Sequence, residues 1–162
     1  MDDKTQQDEH FMRRCLALAE AAAARNEVPV GAVVVLDGRI IGEGSNRCEE
    51  LVSPLAHAEL QALTAAFAAV RQGRIPGATL YCSLEPCLMC TGAALHARVE
   101  RIVFGARDPK FGACGSLYAV PSDVRLNHRC AVTQGVLASA SAEVLREFFQ
   151  RLRGEPPPDA PG

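Results

Sequence analysis

The stretch Leu55–Leu60, LAHAEL, sets a histidine and a glutamate two residues apart in an apolar, alanine-rich segment with helical spacing. In a helix only i,i+3 and i,i+4 neighbours meet, so His57 and Glu59 are not each other's partners. Each needs something else to act on. A second unusual stretch, EPCLMC, holds Cys87 and Cys90 three positions apart and therefore on one face of a helix. At a helix N-terminus, free backbone N–H groups and the positive end of the dipole favour thiolate over thiol. Two such thiolates can chelate one ion. Zinc on this pair asks for a third protein ligand, and an open fourth position makes a site catalytic instead of structural.

Four histidines are available as that third ligand. His96 follows Cys87 at a spacing that, at about 100° per residue, turns it to the opposite side of the helix. His10 belongs to a first helix and His128 to a polar loop, where exposed or capping roles are ordinary. His57 stands at a helix entrance that also carries a spare carboxylate, and Cys₂His with water as fourth ligand is a known catalytic set. Such a zinc lowers the pKa of its water toward about 7. Glu59 then takes the proton from that water and delivers it to a leaving group, without binding the metal. Two other readings compete. A thioredoxin-like dithiol explains CxxC but normally lacks a separate histidine-and-carboxylate entrance, and a structural zinc that adds Cys82 has no use for Glu59.

The elements that must position these groups are legible as patterns. Phe11, Cys15, Leu18, Ala19 and Ala22 recur at helical spacing and predict a helix over Asp8–Ala24. VGAVVVL and RIIGEG flank Asp37-Gly38, the pair that best fits a two-residue hairpin turn. A second helix is expected over Ala56–Val70 with Pro54 at its entrance, then the strand ATLYCS, then the helix EPCLMCTGAALHA with Pro86 in its first turn. RIVFG and AVTQGV read as strands, Ala106–Arg129 as loop-rich, and Ser141–Leu152 as a final helix. The order α-β-β-α-β-α-β-β-α predicts one sheet covered by helices, with both candidate ligand stretches at helix entrances.

Composition bounds the function. A length of 162 residues suits one domain, expected over 1–153, with 154–162 a Pro-rich tail expected to be disordered. The net charge of −2 is too near neutral for non-specific coating of nucleic acid, so an RNA partner must be met by a local patch. Seven cysteines, an odd number beside an N-terminus without signal-peptide character, favour metal binding or free thiols over a disulfide framework. No apolar run approaches the eighteen or so residues of a membrane span, and the expectation is a soluble, cytoplasmic protein with no membrane partner.

H-x-E followed by P-C-x-x-C is the signature of zinc-dependent nucleobase deaminases. Beyond it, EVPVGAVVV, IGEGSN, AHAE, TLYCSLEPCLMCTGA, RIVFGARDPKFGACGSL and NHR resemble, in order and as far as about Arg151, the tRNA-specific adenosine deaminase family. The resemblance implies an α/β fold, the three-layer α/β/α cytidine deaminase-like domain with a mixed five-stranded sheet, acting as a homodimer with one Zn2+ per subunit. It implies hydrolytic conversion of the wobble adenosine in a tRNA anticodon loop to inosine, releasing ammonia. By the same resemblance His57, Cys87 and Cys90 match the zinc ligands, Glu59 the proton shuttle and Asn46 the reader of the flipped base. The backbone around Ala58 and Cys87 is expected to hold the developing tetrahedral centre. Asp108 and Lys110, in RDPK, match the loop that embraces the neighbouring nucleotide, where a carboxylate accepting from a 2′-hydroxyl favours RNA. Two departures stand out: the tail RLRGEPPPDAPG lacks a lysine-rich ending, and aromatic residues for stacking are few. Arg98, Arg101, Arg107, Arg125, Arg129, Arg146, Arg151 and Arg153 are the candidates for a phosphate-binding face. A deaminase of free guanine or cytosine, or a non-catalytic zinc-binding subunit, are the alternatives.

Overall fold

The structure, a computed structural model, describes residues 1–154. Its elements are α1 (Asp3–Ala24), β1 (Gly31–Leu36), β2 (Arg39–Ser45), α2 (Ala58–Val70), β3 (Thr79–Leu84), α3 (Leu88–His96), β4 (Arg101–Ala106), a 3₁₀ turn (Val120–Ser122), β5 (Ala131–Thr133) and α4 (Ala138–Leu152). The strands form one sheet in the order β2-β1-β3-β4-β5. β1 is antiparallel to both β2 and β3, while β3, β4 and β5 run parallel, so the five-stranded sheet is mixed as expected.

The three central strands are apolar on both faces, which decides the layering. Side chains alternate across a strand, so Val33, Val35, Tyr81 and Val103 meet Phe11, Met12 and Cys15 of α1 on one side. On the other, Val34, Leu80, Ile102 and Phe104 pack with Ala62 and Leu63 of α2 and Leu95 of α3. A sheet buried on both faces needs helices on both, hence the three layers. Its two parallel crossovers, β3-α3-β4 and β4 to β5, carry the loops at the carboxyl ends of the strands, the usual place for a ligand in an α/β sheet.

The hairpin forms at Asp37 and Gly38, whose φ values of 52° and 76° are the paired positive angles of that turn. Helix starts differ from expectation. α1 begins earlier, at Asp3, because Asp2 caps it by accepting from the Thr5 N–H at 2.7 Å, and a polar first turn shows no apolar stripe. α2 begins at Ala58 and α3 at Leu88, so Pro54, Ala56 and Pro86 lie outside the helices they were expected to open, while α4 starts at Ala138 instead of Ser141. The last strand keeps only Ala131–Thr133 of AVTQGV. Of the expected tail, only Gly154 is described, in the turn after α4, and 155–162 lie outside the described residues.

One close contact fixes α2 over the edge strand. A Cβ at Gly44 of β2 would stand 2.3 Å from the carbonyl oxygen of Ala58 and 2.6 Å from the Ala62 nitrogen. Only a glycine lets the first turn of α2 lie this close to the sheet.

Candidate active site

His57 and Cys87 occupy the N-cap positions of α2 and α3, and neither side chain caps its helix. Both remain available for another partner. His57 Nδ1 lies 3.7 Å from Cys87 Sγ and 3.4 Å from Cys90 Sγ, and the ligand atoms of the three residues all fall within 4.8 Å of one another. A tetrahedral zinc with bonds of about 2.0–2.3 Å sets its ligands roughly 3.5–3.8 Å apart. The donor set and its spacing therefore fit the metal. Among the described residues this is the one cluster of its kind, and Cys82, buried in the core, is not part of it. The reading of a four-ligand structural site loses its fourth ligand.

The two thiols share a hydrogen bond. It holds the Cys87 thiol down at about 4, helped by His57, and pushes Cys90 up together with burial. Hydrogen bonding to Cys87 raises His57, against the opposing effect of burial. The ends of α2 and α3 add their positive dipoles at the same point, and binding a cation there would release the remaining protons.

The cluster opens on a cleft of about 510 Å³ whose lining includes Asn46, Ala58, Glu59, Glu85, Asp108 and Phe111. That volume suits a nucleobase-sized ligand. Glu59, in the first turn of α2, is only 4% exposed, and burial pushes its carboxyl above the ordinary range while the Cys90 thiol bonds to it. Glu85 is the opposite case. Burial opposes its charge too, but donors from Ser116, Asp108 and Cys114 outweigh that and hold it below the usual carboxylate range. Burial and hydrogen bonding thus push the two carboxyl groups of one cleft in opposite directions, and Glu59 is the one whose protonated form is favoured.

Asn46 is buried on the wall, its Oδ1 accepting from the Cys48 N–H at 3.3 Å. Behind it the fully buried Glu27 accepts from the Glu49 and Glu50 amides at 2.8 and 3.0 Å and so fixes that loop. Asp108 also lines the cleft, and its Oδ1 accepts from the Lys110 and Phe111 amides at 3.0 and 3.2 Å. Lys110 is exposed and does not line the cleft. Phe111 does, with 68% of its surface open to solvent. Sequence reading passed over Phe111 although it directly follows the DPK it singled out. It also passed over Glu27 and Glu85, whose partners are backbone amides far away in the chain. The expected arginine face is reduced: Arg101 is partly buried and paired with Asp8, while Arg125 and Arg146 pair with Asp123 and Glu143.

Residues 5–106 match the family described as the cytidine and deoxycytidylate deaminase zinc-binding region. The chain is 48% identical over 149 residues to the tRNA-specific adenosine deaminase of Haemophilus influenzae, covering 91% of this chain and 86% of the relative. A solved structure from work on A-to-I editing by tRNA deaminases at the wobble position of transfer RNA superposes with a TM-score of 0.81 at 46% identity, covering 84% of this chain and 99% of that one. A guanine deaminase from Nitrosomonas europaea reaches a TM-score of 0.76 at 29% identity, covering 86% of this chain and 83% of that one.

Proposed function

We propose a reaction for a chain that belongs to the zinc-dependent cytidine and deoxycytidylate deaminase family, among its tRNA-specific adenosine deaminases: hydrolysis of the wobble adenosine of a tRNA anticodon loop to inosine and ammonia. The observation that carries it is the meeting of the His57, Cys87 and Cys90 donor atoms with the buried carboxyl of Glu59 at one cleft.

His57 Nδ1 and the Cys87 and Cys90 sulfurs are the residues that would hold zinc, and a zinc ion there supplies Lewis-acid activation of the attacking water. Glu59 accepts a proton from that water and passes it to N1 of the purine, then takes the second proton from the hydroxyl now on C6 and delivers it to the departing amine as the C6–N bond breaks. Water supplies the oxygen of inosine, and the nitrogen departs as ammonia. The Ala58 N–H, in the first turn of α2 and without an intrahelical acceptor, can donate toward the oxygen that becomes the inosine carbonyl. Asn46 hydrogen-bonds the edge of the flipped base, and the loop bearing Asp108 and Lys110 embraces the neighbouring nucleotide. Burial of Asn46 in the cleft lining and exposure of Lys110 outside it support this division.

The protein acts as a homodimer in the cytoplasm. Leu51, Val52, Leu55 and Leu88 are exposed apolar side chains on the loop before α2 and at the start of α3, and a second copy would cover them. Among the described residues no helix is long and apolar enough to cross a membrane.

The test is incubation of the zinc-loaded protein with an anticodon stem-loop carrying adenosine at the wobble position, and separately with free guanine and free cytosine. Inosine in the RNA alone is the expected outcome. Ammonia from guanine with an unchanged RNA would move the chain to the reaction of its guanine deaminase neighbour.

A further inference from the structure

Glu85 lines the cleft, yet its carboxylate is turned away from chemistry by saturation. Its Oε1 accepts from the Asp108 N–H at 3.1 Å and from the Ser116 hydroxyl, and its Oε2 accepts from the Cys114 and Ser116 amides, both at 3.0 Å. A carboxylate offers about four acceptor positions, and here four donors fill them. The residue is 2% exposed, so no water competes for them. All three donor residues belong to the loop that runs from β4 toward the 3₁₀ turn, the same loop that carries Asp108 and Phe111 to the cleft.

The loop is wrapped around this one group. A Cβ at Gly112 would stand 2.3 Å from Glu85 Oε2, so the backbone there lies directly on the carboxylate. The main chain on either side of Glu85 is tied down as well. Its own N–H donates to the Ala106 carbonyl at 2.8 Å, and the Pro86 carbonyl accepts from the Ala113 N–H at 2.9 Å. Glu85 thus binds the loop with its side chain while its neighbour Cys87 belongs to the metal cluster.

We infer that Glu85 is a positioning residue: its buried carboxylate holds the 107–116 loop as a preformed wall and so sets the distance between the loop's substrate-facing side chains and the metal cluster. This rests on the reading of the cleft as an RNA-loop deaminase site. Much of the loop is exposed and only Gly112, Ala113 and Cys114 are buried, so apolar packing does little to order it. Without the carboxylate, three amide donors lose their acceptor, and the loop reaches water only by leaving the wall. Ordering it would then fall to substrate binding, which lowers affinity and leaves the chemical step as it was.

The experiment uses the zinc-loaded protein with Glu85→Gln and Ser116→Ala. An amide in place of the carboxylate turns one oxygen into an NH2 group, which faces two of the four donors. Ser116→Ala removes one donor and leaves the backbone of the wall intact. Hydrogen exchange of the 107–116 amides reads the anchor without reference to activity, and zinc content reads the neighbouring ligands. In Glu85→Gln these amides should exchange about ten-fold faster or more, the scale of a lost buried hydrogen bond, with zinc per chain unchanged. KM for the anticodon stem-loop should rise about ten-fold with kcat within about two-fold. Ser116→Ala should move both readouts the same way by less, and this holds the test if Glu85→Gln fails to fold. Exchange at wild-type rates in a folded Glu85→Gln or in Ser116→Ala overturns the inference. So does a fall in kcat at constant KM, which would make Glu85 a group of the chemical step. If the wild type deaminates no RNA, the reading of the cleft fails while the exchange data still decide the anchor.

Discussion

The Arg101 guanidinium grips the Asp8 carboxylate through two hydrogen bonds of 2.8 Å each, one to either oxygen, and the Tyr81 hydroxyl donates a third at 2.7 Å to Asp8 Oδ1. The pair joins α1 to the start of β4, at the end of the parallel strands away from the cleft. A buried ion pair need not stabilise more than an apolar contact of the same shape, but removing one partner strands the other. Asp8→Ala should therefore cost about 3–5 kcal/mol, lowering Tm by about 10 °C for a chain of this size. Zinc content should stay at wild type. A Tm within a degree or two of wild type would mean the pair is replaced by solvent.

The same pair gives a pH signature. Burial disfavours the Asp8 charge, but the bonds from Arg101 and Tyr81 outweigh it and lower the carboxyl below its ordinary value. A depressed folded pKa contributes stability that is present in full above the unfolded value and is lost as pH falls through the folded one. Below about pH 4 the wild type should lose stability more steeply than Asp8→Asn. Denaturant midpoints across that range check it, and parallel curves would remove Asp8 from the acid response.

Glu59→Ala should keep the fold and bind about one zinc per chain, while turnover falls by about 10⁴-fold, the upper end for a general acid-base group. Cys90→Ala should lose the metal. Metal analysis beside single-turnover rates separates the two roles, since loss of zinc in Glu59→Ala would make that residue a ligand.

Gly44→Ala tests the seat of α2. The added methyl meets the Ala58 carbonyl at 2.3 Å, too near for any side chain, so the helix start must move. Overpacking of this kind costs about 1–3 kcal/mol, and because His57 and Glu59 ride on that turn the change should also weaken zinc affinity. Competition with a chelator measures it. Unchanged affinity with lowered stability would show that the turn can shift without its N-cap.

What could be read from residues alone follows from which forces write themselves into a local pattern. The short apolar runs in VGAVVVL and ATLYCS, the Asp37-Gly38 turn and the His57, Cys87 and Cys90 ligand types are local, and the element order and the donor set emerged from them. Helix starts were missed where the signal was not apolar spacing: Asp2 begins α1 in a wholly polar turn, and His57 and Cys87 take cap positions that ordinary capping residues usually fill. Arg101 looked like one more surface arginine because its partner lies far away in the chain. Glu27 and Glu85 bind backbone amides, which every residue possesses, so nothing in the sequence of their partners marks them.

Phe111 bears on how a protein with so little positive field and so few aromatic residues holds RNA. It lies on the cleft, and its largely exposed ring has no part in the apolar core, so folding does not explain it. An exposed aromatic ring at the mouth of a base-sized cleft offers a stacking face, and base stacking is worth about 1–3 kcal/mol by alanine substitution. Phe111→Ala should therefore raise KM for the anticodon stem-loop by about ten-fold or more, with Tm and zinc content unchanged. Phe111→Tyr should recover most of the loss, because it restores the ring and not merely bulk, whereas Phe111→Leu should recover little. The same stem-loop annealed to its complement should be a poor substrate for every variant, since a paired base has first to be unstacked at a cost of a few kcal/mol. Equal KM for the Leu and Tyr variants would reduce Phe111 to a hydrophobic contact, and equal rates on duplex and loop would reject a flipped base as the reacting species.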